Sequence, residues 1–272
     1  MIPIGDIGVY RRTTPYVVYG LIGLNALVFL YELSLGGSLF FSDSLDVTRF
    51  FFKWGLIPTE LFGGDELKEL RFRTGQFPDI RVISVDVASP IPTWGTAFTS
   101  MFIHGGWIHL LGNMLYLWVF GNNIEDRFGH VKFLLFYLGA GLAAVWTQVA
   151  LNTDSQTPMI GASGAISGVT GAYLVLFPFS RIRTLILFFF IMVIELPAIV
   201  VLGFWFILQL FQGVGSLGAL GGGVAYWAHV GGFVMGMLTA VLYKLVRREP
   251  LLPPRPGRLW GRNPWDRFPG GY

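Results

Sequence analysis

The chain has 272 residues, of which 53% are apolar and 13% charged, with a net charge of +3; such a balance describes a polypeptide solvated mainly by lipid and excludes an ordinary soluble enzyme or nucleic-acid-binding module. At about 20 residues per crossing of a hydrocarbon layer about 30 Å thick, this length accommodates one membrane domain of several spans and no second globular domain. The absence of cysteine excludes disulfides, a thiol nucleophile and thiolate metal ligation.

Residues 1–15, with Arg11 and Arg12, read as a cytoplasmic segment. The first apolar run, 16–35, has a core too long for a cleavable signal peptide and lacks the small-residue pattern that follows one, so it is expected to stay as an anchor. The connection over about residues 36–95 carries eight acids (Asp43, Asp46, Glu60, Asp65, Glu66, Glu69, Asp79, Asp86) against six bases (Arg49, Lys53, Lys68, Arg71, Arg73, Arg81), which fits an external loop. Within it the charged run 65–73 reads as a solvated helix packed on the membrane domain, and Phe50, Phe51, Phe52 and Trp54 suit the membrane interface.

Five more apolar segments follow, at 108–121, 133–151, 163–179, 185–211 and 226–246, giving six expected spans. Basic residues gather on one set of connections: Arg11 and Arg12, Arg127 and Lys132, Arg181 and Arg183, then Lys244, Arg247 and Arg248. Both termini are therefore expected in the cytoplasm, as for a multi-pass protein of a prokaryotic cytoplasmic membrane. The fold class read here is an all-α membrane protein, a bundle of six transmembrane helices with a long external loop between the first and second, the membrane domain running over 16–248. Residues 249–272 lack apolar periodicity and read as a disordered cytoplasmic tail, whose arginines and tryptophans suit anionic headgroups.

Depth picks out the polar residues inside this bundle. Counting at about 1.5 Å per residue from the nearest cytoplasmic anchor, His109 stands about 24 Å above Glu125, Ser163 about 27 Å above Arg181, and His229 about 22 Å above Lys244. Three spans thus hold their unusual residues at one level below the external surface. Gly164 with Gly168, and Gly232 with Gly236, are small-xxx-small pairs that let two transmembrane backbones approach, and His229 shares a helix face with Gly232 and Gly236. If the fourth and sixth spans pack through these glycines, Ser163 meets His229.

That contact carries a definite chemistry. An imidazole accepts the serine proton, the alkoxide attacks a carbonyl, and the imidazole returns the proton to the leaving amine. The developing oxyanion needs donors. Ser163 opens its helix, so backbone N–H groups, its own among them, are free there. His109 and Asn113, four apart on one face of the second span, add side-chain donors.

Three motifs together then give a resemblance: His104-Gly105-Gly106-Trp107-Ile108-His109-Leu110-Leu111-Gly112-Asn113, Gly161-Ala162-Ser163-Gly164, and Ala228-His229-Val230-Gly231-Gly232. Over nearly all of the chain up to Val246 the sequence resembles the rhomboid intramembrane serine proteases. The resemblance implies a six-helix rhomboid bundle with a water-filled cavity open to the external side, Ser163 as nucleophile, His229 as general base, and His109 with Asn113 as oxyanion donors. It also implies cleavage of transmembrane protein substrates near their external ends, without metal, cofactor or ATP. The chain departs from the pattern at Ser167, where some rhomboids carry a tyrosine that stacks on the catalytic histidine, so His229 must be oriented by something else.

Other readings of the same residues are duller. A lone serine or histidine in a span is more often helix-packing glue. His104 is expected to hydrogen-bond the long loop, His130 to lie in a cytoplasmic connection, and Glu125 with Asp126 to clasp a loop. Glu195, expected within the fifth span, reads as a protonated or interface-directed structural acid. A silent rhomboid-like protein that binds membrane clients is the main alternative function. A transporter should show paired features in repeated halves, and none is visible; a soluble hydrolase would need the second glycine of a Gly-x-Ser-x-Gly elbow.

Overall fold

The computed structural model describes residues 1–7, 9, 11–36, 44–61, 63–74, 81–187, 191–217 and 223–252. In chain order its elements are β1 (Ile2–Ile7), α1 (Tyr16–Ser34), α2 (Leu45–Trp54), α3 (Pro58–Leu61), β2 (Glu69–Thr74), β3 (Arg81–Asp86), α4 (Thr93–Thr99), α5 (Trp107–Tyr116), α6 (Asn122–Phe128), α7 (His130–Leu151), α8 (Ser163–Leu176), β4 (Arg181–Leu187), β5 (Ile191–Pro197), α9 (Ala198–Gly215) and α10 (Tyr226–Val246). A π-helical turn at Leu117–Gly121 joins α5 to α6, so that one helical rod runs through both.

Among the described residues α1, α7, α9 and α10 are long and apolar enough to cross a membrane. The predicted fourth span is the 14-residue α8, only about 21 Å long. Its composition explains its place. From Gly164 to Tyr173 every residue is buried, because a helix that is apolar and small all round has no face to give to lipid and sits in the middle of the bundle.

Glycines set how closely the neighbours approach α8. A Cβ on Gly232 of α10 would lie 2.1 Å from the carbonyl oxygen of Gly164, and one on Gly236 would lie 1.9 Å from that of Gly168. On the other side, a Cβ on Gly164 or Gly168 would press Ala144 or Ala140 of α7, at 2.6 and 2.4 Å. Backbone thus lies against backbone along the α8–α10 seam, with alanines filling the α7 side.

One end of the bundle is tied by carboxylates. Pro15 precedes α1 and offers no side-chain cap; Glu125 supplies one from α6, its two oxygens accepting from Val17 N at 2.9 Å and Val18 N at 2.8 Å. Asp126 Oδ1 accepts from the backbone N–H groups of Arg12 and Thr13 at 2.9 and 2.7 Å. The pair is the clasp its sequence position suggests. His130 meets Glu125 through Nδ1 at 2.5 Å.

The all-helical expectation fails in two places. β1, β4 and β5 form an antiparallel sheet in that order, and β2 pairs with β3. The apolar stretch from residue 185 passes for the start of a span by hydropathy, but β4 alternates: Arg181 and Arg183 are exposed while Ile182 and Thr184 are buried, the period of a two-faced strand. The fifth long helix starts only after Pro197. Glu195 is accordingly on β5 rather than inside a span, 3.3 Å from Arg181. The run 65–73, expected as a helix, contributes to β2. Of the expected tail, 253–272 lie outside the described residues, but 249–252 are ordered: Glu249 pairs with Arg127, and Lys244 Nζ donates to the Leu251 carbonyl at 3.0 Å.

Candidate active site

The chain enters α8 through a fixed turn. Gly161 sits at φ +119, its N–H donates to the Ser100 carbonyl at 2.8 Å, and a Cβ there would meet the His109 ring at 2.7 Å. Glycine meets both demands, the left-handed backbone and the close ring. α8 then begins at Ser163 without a side-chain cap, so its first N–H groups have no i−4 partner within the helix.

Across the seam, His229 lies on the first turn of α10, and its Nε2 is 2.7 Å from Ser163 Oγ. The packing glycines bring this about: with Gly232 and Gly236 seated on the carbonyls of Gly164 and Gly168, the starts of α8 and α10 are held side by side. Gln148 of α7 adds a cap, its Oε1 accepting from Ala228 N at 3.1 Å.

His109 and Asn113 of α5 face the same cavity, a space of about 1460 Å³ lined also by Ser163, His229, Gln148 and Trp205. His109 Nδ1 accepts from Gly105 N at 3.3 Å. A neutral imidazole with an accepting Nδ1 carries its proton on Nε2, and Nε2 is the atom beside Gly161. Asn113 is buried, and its Nδ2 has no hydrogen-bond partner among the described residues. A buried amide donor without a partner is costly in a purely structural role.

All four predicted polar site residues thus line one cavity. His104 does not behave as expected: it is fully buried, its ring packs edge-on against His109 with centroids 5.0 Å apart, and neither ring nitrogen has a partner among the described residues. Its backbone N–H, not its ring, is bonded, donating to Glu32 Oε1 at 3.1 Å. The hydrogen bond to the long loop expected of its ring does not occur among the described residues.

Sequence reasoning missed Gln209. This α9 residue is buried, and its Oε1 lies 2.7 Å from His229 Nδ1. Trp205, one turn earlier on the same face, brings its ring to 5.9 Å from the imidazole, tilted 35°. Ser167, which stands where some rhomboids have tyrosine, donates its hydroxyl to the Ser163 carbonyl at 2.6 Å. The one available signal was a glutamine, one of two with Gln212, in the largely apolar α9. Among the described residues no group of three or more His, Cys, Asp or Glu side chains is arranged to hold a metal ion.

A family model described as Rhomboid domain matches residues 92–245. Rhomboid protein 1, mitochondrial, of Saccharomyces cerevisiae is 32% identical over 158 residues, 56% of this chain and 41% of that protein. Rhomboid protease GluP of Bacillus subtilis is 34% identical over 157 residues, 55% of this chain and 29% of that protein. Putative rhomboid protease YdcA of the same organism is 37% identical over 82 residues, 30% of this chain and 40% of that protein. The matches span less than half the length of each of these relatives.

Proposed function

The chain belongs to the rhomboid family, is an integral membrane protein, and, we propose, is an intramembrane serine endopeptidase that hydrolyses peptide bonds of transmembrane proteins near the external membrane face. The observation that carries this reading is the 2.7 Å approach of Ser163 Oγ to His229 Nε2 in a cavity that Asn113 also lines, its Nδ2 without a partner among the described residues. His229 takes the Ser163 proton as Oγ adds to the scissile carbonyl carbon. The oxyanion is received by Asn113 Nδ2, His109 Nε2–H and the free N–H groups at the start of α8. Collapse breaks the C–N bond, the imidazolium protonates the leaving amine, and water repeats the sequence to release the acyl group from Ser163.

Six crossings are part of the same proposal: α1, the α5–α6 rod, α7, α8, α9 and α10. Contacts at one end support it, because Glu125 and Asp126 hold the start of α1, Arg127 pairs with Glu249, and Lys244 Nζ donates to the Val175 carbonyl at 2.8 Å. The basic connections Arg127 and Lys132, Arg181 and Arg183, and Lys244 to Arg248 gather at that end, which is read as cytoplasmic. The cavity is at the other.

Purified protein in detergent is expected to cleave a single-span substrate containing small, helix-breaking residues. Ser163→Ala and His229→Ala should each abolish cleavage with the melting temperature retained. Cleavage that survives in either variant contradicts the assignment. A folded wild-type protein that binds such segments without cutting them supports a client-binding role instead.

A further inference from the structure

Ser163 supplies a proton only if His229 presents a bare nitrogen to it, and nothing in a serine–histidine pair alone fixes that. A neutral imidazole carries one N–H and one lone pair, and either nitrogen can hold the proton. With the proton on Nε2, the ring would donate to Ser163 Oγ and be useless as a base. A third group at Nδ1 has to choose, as a carboxylate does in other serine hydrolases. Among the described residues, the group hydrogen-bonded to His229 Nδ1 is the side-chain amide of Gln209, its oxygen 2.7 Å away.

An amide oxygen only accepts hydrogen bonds. With the amide oxygen turned to Nδ1, the contact is a hydrogen bond only when the proton is there, which leaves the Nε2 lone pair 2.7 Å from Ser163 Oγ. The amide comes from α9, an element that carries neither Ser163 nor His229. Its Trp205, one helical turn away on the same face, lies beside the imidazole ring, centroids 5.9 Å apart. From these contacts we infer that Gln209 is the positioning residue of the dyad, holding His229 in the tautomer with Nδ1 protonated, while Trp205 limits the tilt of the ring.

The kinetic part of this inference rests on the protease reading; the tautomer does not, because it is measured without turnover. The test is a nitrogen-15 spectrum of the histidine-labelled full chain in detergent at about pH 8, above the unperturbed imidazole range near 6.5. The His229 signals are identified by their loss in His229→Ala. In the wild type Nδ1 should appear as a protonated, pyrrole-type nitrogen and Nε2 as a bare, pyridine-type one. Gln209→Leu keeps side-chain bulk without the acceptor, and should mix the two forms and lower kcat by about 10- to 100-fold, part of the usual general-base contribution, with KM unchanged. Gln209→Glu restores an acceptor for Nδ1–H and should recover the wild-type tautomer and most of kcat.

A wild-type His229 protonated at Nε2 overturns the inference without reference to any variant's folding. So does a Gln209→Leu protein with an unaltered spectrum. A wild-type protein with the expected tautomer and no proteolytic activity leaves the positioning role intact and removes the protease reading.

Discussion

Asn113 is the residue whose two possible roles make opposite predictions. As a structural group it would have a partner for its Nδ2, and among the described residues it has none; as an oxyanion donor it should be idle until a tetrahedral intermediate forms. Asn113→Ala is therefore expected to lower kcat by about 100- to 1000-fold while leaving the melting temperature unchanged or slightly raised, since an unsatisfied buried donor is removed. Loss of stability with activity retained would return Asn113 to a packing role. Asp6, far from the cavity, gives a pH prediction. Burial holds its carboxyl above the ordinary value of 3.8, against the opposing hydrogen bonds from Tyr173 and Asn123 and the charge of Arg11. A carboxyl raised in the folded state contributes stability while protonated. That contribution is full below 3.8 and is lost as pH rises through the folded value. Melting temperature measured across this interval should fall less steeply in Asp6→Asn than in the wild type. At this scale Ser163, His229, His109 and Asn113 were legible because helix rise turns sequence position into depth. Gln209 was not, because its meaning depends on the rotation of α9 about its axis, which no hydropathy pattern in so uniformly apolar a helix fixes.

The seam between α8 and α10 converts glycine spacing into the contact of Ser163 with His229. A methyl group at Gly236 would fall 1.9 Å from the Gly168 carbonyl oxygen, whereas one at Gly23 of α1 has nothing within 4 Å. Gly236→Ala is expected to destabilise the protein by about 1–3 kcal/mol and to impair cleavage by separating Ser163 from His229. Gly23→Ala should be neutral or stabilising by up to about 1 kcal/mol through helix propensity alone. Chemical denaturation of both variants in detergent checks this, and equal effects would remove the seam from the account. The seam was readable beforehand because a small-xxx-small pair on each of two helices has few other uses in a membrane. The β4–β5 hairpin was not. Its residues are apolar enough to extend a span, and besides β5 the strand that pairs with β4 is β1, at the opposite end of the sequence; that non-local pairing leaves no local periodicity beyond a few alternating residues.

For the molecule as a whole, the design separates a tied end from an open one. At the tied end the Glu125 carboxylate accepts from Val17 N, Val18 N and the His130 ring, so one acid joins α1, α6 and α7. Glu125→Ala leaves the α1 amides without acceptors and is expected to cost about 3 kcal/mol, read as a lowered denaturation midpoint; an unchanged midpoint would mean that water replaces the clasp without loss. At the open end, loops frame a cavity lined by Ser163, His229, His109 and Asn113. The claim on which everything else depends is that Ser163 is an activated nucleophile, and reaction with a fluorophosphonate probe tests it without knowledge of a substrate. Wild-type protein should be labelled at Ser163, with labelling lost in Ser163→Ala and nearly lost in His229→Ala; undiminished labelling in His229→Ala, or none in folded wild-type protein, would contradict it.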